Sequence, residues 1–73
     1  MAEQVVKTIN HPHGQRRVEI FRRGNGTYGF REWKYEPEYD AWLPYGLYSN
    51  AVVDTAERAE SEARGRVSWL HPN

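Results

Sequence analysis

The chain reads as an α+β domain: a three- or four-stranded antiparallel meander with one C-terminal helix packed on one face. Three observations predict this. Residues 16–23 alternate in character with the two-residue period of a strand. Gly24-Asn25-Gly26 follows at once, and these residues tolerate the positive φ that a tight hairpin needs. From Ala56 the period changes: Ala56, Ala59, Ala63, Val67 and Leu70 recur at spacings of three and four, an apolar stripe along a helix.

The elements follow in order. Residues 1–14 have two readings, a flexible N-terminal segment or a short first strand of Val5, Val6 and Ile9 turned by His11-Pro12-His13-Gly14. Residues 15–73 form a single small domain. Its first strand carries Val18, Ile20 and Arg22 in alternation with Glu19, Phe21 and Arg23. Tyr28 to Tyr35 is the next strand, rich in aromatic residues. Glu36-Pro37-Glu38-Tyr39-Asp40 is a loop, and Ala41 to Tyr48 a further strand. Pro44 has no N–H to give to a ladder, which places that strand at an edge or Pro44 at an irregularity. Asp54 is the expected N-cap, with Glu57 three residues on completing a box-like pairing. Glu60–Arg64 and Glu62–Arg66 are i,i+4 pairs in the favourable order. Gly65 weakens the helix locally and offers an early end to it; His71-Pro72 ends it in any case, because a residue before proline avoids the α region.

Charge selects the register of the hairpin. A two-residue turn at Asn25-Gly26 would set Glu19 against Glu32, a like-charge pair. A three-residue loop, Gly24 to Gly26, sets Glu19 against Arg31, Ile20 against Phe30, and Phe21 against Gly29, where the ring covers bare backbone. The second register is preferred. It divides the hairpin into a face of Val18, Ile20, Tyr28 and Phe30 and a face of Arg17, Phe21, Arg23, Arg31 and Trp33. The helix covers one face, and the basic, aromatic face is left without an obvious cover.

Composition bounds the rest. Leu, Ile, Val and Phe number 13 of 73 residues, a low count that would suggest disorder at high net charge, but the net charge is zero. Three Trp and five Tyr make up the deficit, and eight of the ten aromatic residues fall between Tyr28 and Tyr48. A chain this short buries only ~60% of its unfolded surface, so stability is marginal. The zero net charge conceals an asymmetry: residues 1–34 hold seven Lys/Arg and three Asp/Glu, and residues 35–73 hold three and seven. Such a split steers an anionic partner to one side, lets two copies associate head to tail, or simply reflects two solvated faces.

Several chemistries are disfavoured. With no cysteine there is no disulfide, thiolate metal site or Cys nucleophile. The N-terminus has no long apolar run behind a basic segment, and nothing approaches the ~18 apolar residues that span a bilayer, so a cytoplasmic protein without membrane contact is expected. Ser49, Ser61 and Ser68 have no plausible base nearby in sequence, and Glu36, Glu38 and Asp40 read as a solvated turn rather than paired catalytic carboxylates. Gly24-Asn25-Gly26 joins two strands instead of a strand and a helix, so it is not a phosphate loop. His11 and His13 would share one side of a strand, with His71 a third ligand if the termini meet. Pro12-His13-Gly14 reads as a turn, however, and no Cys or adjacent carboxylate completes a site. No enzyme, cofactor or metal is expected.

What remains is binding. Arg17, Phe21, Arg23, Arg31 and Trp33 are the candidate contact residues, with Tyr39 and Trp42 flanking them. Trp, Tyr and Arg dominate protein interfaces, so a protein partner or a homodimer is the leading expectation. Single-stranded RNA or DNA is the alternative, since rings stack on bases while guanidiniums neutralise phosphates. A third reading is arginine lying over rings as intramolecular cation–π cover. Gly26-Thr27-Tyr28-Gly29-Phe30-Arg31-Glu32-Trp33 resembles the strand motif of RNA-recognition domains and, less closely, of cold-shock domains. It departs from them by the inserted Thr27 and by Arg31 where an aliphatic residue is usual. That resemblance implies base stacking by Tyr28 and Phe30, whereas the preferred register turns both toward the core. By topology and length, the whole chain resembles small bacterial strand–strand–strand–helix domains of unknown function, which offer no catalytic residues to carry over.

Overall fold

The computed structural model describes residues 3–46 and 51–70. Four strands form one antiparallel sheet in sequential order: β1 (Gln4–Asn10), β2 (Arg16–Arg22), β3 (Tyr28–Glu36) and β4 (Ala41–Pro44). A single helix, α1 (Ala56–Arg66), packs against β2 and β3. The meander is thus four-stranded, and residues 4–10 are its first strand. A bulge between Val5 and Lys7 breaks the outer ladder, one of the devices that blunt an edge strand.

The β2–β3 register is the one that charge selects. Ile20 pairs with Phe30, Glu19 with Arg31, Phe21 with Gly29 and Arg17 with Trp33. The Arg23 N–H donates to the Thr27 carbonyl at 2.7 Å and closes the loop. Within it, Asn25 Oδ1 accepts from both the N–H and the hydroxyl of Thr27, and Gly26 takes φ +88°. β4 lies at the sheet edge, with Pro44 opposite Trp33, so the missing proline N–H costs no ladder bond. The strand ends at Pro44, short of the expected Tyr48: Tyr45 and Gly46 have already left it, Gly46 with φ +87°, and residues 47 and 48 lie outside the described residues. Beyond residues 47–50, Val53 bridges Tyr28 through two backbone bonds of 2.8 and 3.0 Å on the outer side of β3.

Alternation sends Val18, Ile20 and Phe30 to the helix side, where all three are fully buried. Each such side chain stabilises the fold by about 1.5–3 kcal/mol. They meet Ala59, Ala63, Val67 and Leu70 of the helical stripe and its continuation. The small alanines let the helix lie close over the bulky sheet side chains. The cap differs from expectation. Thr55, not Asp54, is the N-cap, its hydroxyl accepting from the Arg58 N–H at 3.1 Å. Asp54 instead faces Arg58 at the surface. Glu60–Arg64 forms as expected, at 2.7 Å. Gly65 stays within the helix, which ends one residue later with the Val67 N–H donating to the Ala63 carbonyl. The helix thus takes the early end, and Val67 to Leu70 leave it before His71-Pro72, which lies outside the described residues.

Candidate functional site

The face of the sheet turned away from α1 carries the odd-numbered residues of β2 and β3, and among the described residues no helix or strand lies over it. Its side chains form a continuous row of cations and rings. Tyr35 meets Trp42 across β3 and β4, with centroids 5.5 Å apart. The Arg17 guanidinium lies 3.8 Å above the Trp42 ring. Trp33, paired with Arg17, donates its indole N–H to Glu19 at 2.9 Å. Arg31 stands opposite Glu19, bonds to Glu3, and covers the Phe21 ring at 4.3 Å. Arg23 closes the row over the same ring, 4.9 Å from its centroid.

These arginines are not equivalent. Arg23 donates to the carbonyls of Tyr28 and Ala51, each at 3.1 Å, and so ties the hairpin end to the segment that leads into the helix. Arg31 is engaged with Glu3. Arg17 makes no ion pair among the described residues, and its Nε lies buried without a hydrogen-bond partner. A guanidinium held on an indole face is pre-organised, and an unpaired one readily accepts a carboxylate.

Phe21 departs from the expectation that it is a surface ring. It is only 3 % exposed, because Arg23 and Arg31 lie over it and Gly29 leaves room beneath it. An ideal Cβ at Gly29 would stand 3.0 Å from Phe21 Cζ and 2.9 Å from the Ala51 oxygen. Phe21 therefore supports the face from below. Trp33, Tyr35 and Trp42 are half-buried and present ring surface. Tyr39 stands apart from the row, 69 % exposed in the turn between β3 and β4. Of the two rings implied by the RNA-recognition resemblance, Phe30 is buried beneath the helix, and Tyr28 packs against the same core.

The turn between β3 and β4 has its own constraints. Asp40 adopts φ +48° and its carboxylate accepts from the Tyr35 hydroxyl. That bond, followed by slight desolvation and the Asp40 charge, raises the Tyr35 pKa above its ordinary value. The tyrosine stays a neutral donor over a wider alkaline range, and the turn stays attached to the sheet face.

A second constellation, on the helix side, escaped the sequence reading. Glu32 is 3 % exposed, an unusual burial for a carboxylate. It accepts from Arg16 at 2.6 Å and from the Trp69 indole at 2.8 Å. Arg16 also stacks on Tyr45 at 4.2 Å. The signal was present: alternation puts Glu32 on the same side as Phe30, and Arg16 on the same side as Val18. The His11 and His13 rings stack with centroids 4.6 Å apart, and His11 Nδ1 accepts from the His13 backbone N–H. Among the described residues no group of three or more His, Cys, Asp or Glu side chains is placed to hold a metal ion, and no helix is long and apolar enough to cross a membrane. His71, the third histidine, lies outside the described residues.

Comparison of the chain with protein-family models, with curated proteins and with solved structures gives no match.

Proposed function

We propose that this chain is a non-catalytic binding module that docks a protein surface, its own second copy included, on the arginine–aromatic face of the sheet. The observation that carries the proposal is Arg17, a cation seated on Trp42 that makes no ion pair with a carboxylate among the described residues. A partner that inserts an aspartate or glutamate there, beside the rings of Trp33 and Tyr35, completes a charge-assisted bond that the free chain lacks. Self-association fits the same chemistry. The exposed turn of residues 37–40, with Glu38, Tyr39 and Asp40, is both acidic and aromatic, and it matches the opposite charges of the two halves of the sequence. A protein partner is favoured over single-stranded nucleic acid because Arg23 is tied to two backbone carbonyls, which shortens the run of cations on this face available to a phosphate chain. A cysteine-free chain of this kind suits the cytoplasm.

Selection from a random peptide library on the immobilised protein tests this. Enriched peptides should carry acids next to aromatic residues and lose binding to Arg17→Ala and Trp42→Ala. Light scattering across a concentration series shows whether a second copy occupies the face: a dimer that dissociates in Trp42→Ala identifies it. No enrichment together with a strict monomer overturns the proposal. Oligonucleotide binding that collapses steeply with salt would replace it with the nucleic acid reading.

A further inference from the structure

On the helix side, where the turn after α1 meets the β1–β2 loop, a cavity of about 360 Å³ opens between His11, His13, Gln15, Arg16, Lys34, Ser68 and Trp69. We infer that this cavity is a binding site for a small molecule bearing a phosphate or carboxylate group, separate from the sheet face.

The first reason is charge. Every titratable side chain lining the cavity is basic: His11, His13, Arg16 and Lys34. The nearest carboxylates are committed elsewhere. Glu32 is buried behind the lining and held by Arg16 and the Trp69 indole. Glu36 sits beside Lys34 at 3.3 Å, a surface pair with 44 % and 28 % of the two side chains exposed, and such pairs yield readily to a better partner.

The second reason is the supply of uncommitted donors. Among the described residues, the Gln15 amide, the Ser68 hydroxyl and the His13 ring nitrogens make no hydrogen bond. A phosphate or carboxylate uses several donors at once. This cavity gathers donors from the β1–β2 loop, from β2 and β3, and from the turn after α1.

The third reason is pre-organisation. Arg16 is fixed between Glu32 and the Tyr45 ring, and His11 is fixed by its contacts with His13 and Trp69. A site held in this way loses little freedom on binding. The volume lies at the small end of ligand pockets, which span roughly 300–1,000 Å³. It exceeds what a bare oxyanion fills, and the Trp69 indole supplies an apolar wall for a ring or short chain.

Amide NMR titrations with inorganic phosphate, phenyl phosphate, benzoate and neutral benzyl alcohol test the inference on the whole chain. Saturable shifts should appear at His13, Gln15, Ser68 and the Trp69 indole N–H. Phenyl phosphate should bind more tightly than inorganic phosphate, and benzyl alcohol should not saturate. The double variant His13→Ala/Lys34→Ala, at one exposed and one half-buried position whose fold the same spectrum checks, should weaken binding about tenfold. Arg58→Ala, exposed on the helix, should leave it unchanged. Saturation by phosphates alone, or by benzoate alone, assigns the anionic group. Shifts that stay linear for every anion, that benzyl alcohol reproduces, or that survive the double variant overturn the site.

Discussion

Replacing Gly29 with alanine adds one methyl group where three neighbours already meet. An ideal Cβ there lies 2.6 Å from Arg23 Nη2, 2.9 Å from the Ala51 oxygen and 3.0 Å from Phe21 Cζ. The Arg23 end can swing away, but it then gives up its bonds to the Tyr28 and Ala51 carbonyls. The Ala51 oxygen belongs to backbone that leads into the Tyr28–Val53 bridge and cannot retreat alone. Overpacking of this kind costs about 1–3 kcal/mol. Loss of a charged hydrogen bond adds about 1.5–3 kcal/mol. The smaller unfolded-state entropy of alanine returns only ~0.4–1 kcal/mol. The net destabilisation is about 1.5–5.5 kcal/mol, against a total stability of roughly 4–11 kcal/mol for a chain of this length. In thermal unfolding followed by circular dichroism, the midpoint should fall by at least about 6 °C, at roughly 4–8 °C for each kcal/mol lost. Urea unfolding should show a lower midpoint at unchanged slope. Adding Arg23→Ala removes the tightest of the three contacts, so the double variant should lose less than the sum of the single variants. A fall of less than about 4 °C in Gly29→Ala would refute the packing of Phe21 and Ala51 over bare backbone.

Three further outcomes follow from the packing. Arg16→Ala leaves the buried Glu32 carboxylate with the Trp69 indole as its remaining donor of this pair, and should cost about 3 kcal/mol in urea unfolding; adding Glu32→Gln should recover part of the loss. Lys7 first, then Arg64, hold the Glu60 pKa below its ordinary value. A depressed carboxylate contributes stability that is present above its unfolded pKa and lost as pH falls through the folded value, so Glu60→Gln should lower stability at neutral pH, converge on the parent at acid pH, and so flatten the acid limb of the stability–pH curve. Thr55→Ala should cost about 1 kcal/mol through the lost cap, whereas Asp54→Ala should change the thermal midpoint by little.

The sheet was legible because its determinants are local. Opposition of Glu19 to Arg31, and of Phe21 to bare Gly29, was enough to select the register, and Pro44 marked the edge strand. The helical stripe from Ala59 to Leu70 was legible for the same reason. The cap was not, since Asp54 and Thr55 both suit that position and Glu57 fits a box with the first. The burial of Phe21 depends on Arg23 beyond the strand and Arg31 on the next one, so periodicity alone overstates its exposure. The Glu32–Arg16–Trp69 cluster required knowing where the end of the helix lands on the sheet. Alternation nonetheless marked Glu32 as a carboxylate on the core side. The seven candidate residues divide accordingly: Arg17, Arg31, Trp33 and Trp42 form the half-buried row on the open face, Phe21 and Arg23 support it, and Tyr39 stands apart.

The most direct measurement is an amide and indole NMR footprint of the folded chain with its selected acidic–aromatic peptide, or with its own second copy at rising concentration. Docking on the sheet face predicts shifts at Arg17, Arg31 and the Trp33 and Trp42 indole N–H groups, with the outer surface of α1 unchanged. A footprint on α1, or on the outer edge of β1, with Trp42 unaffected would contradict it.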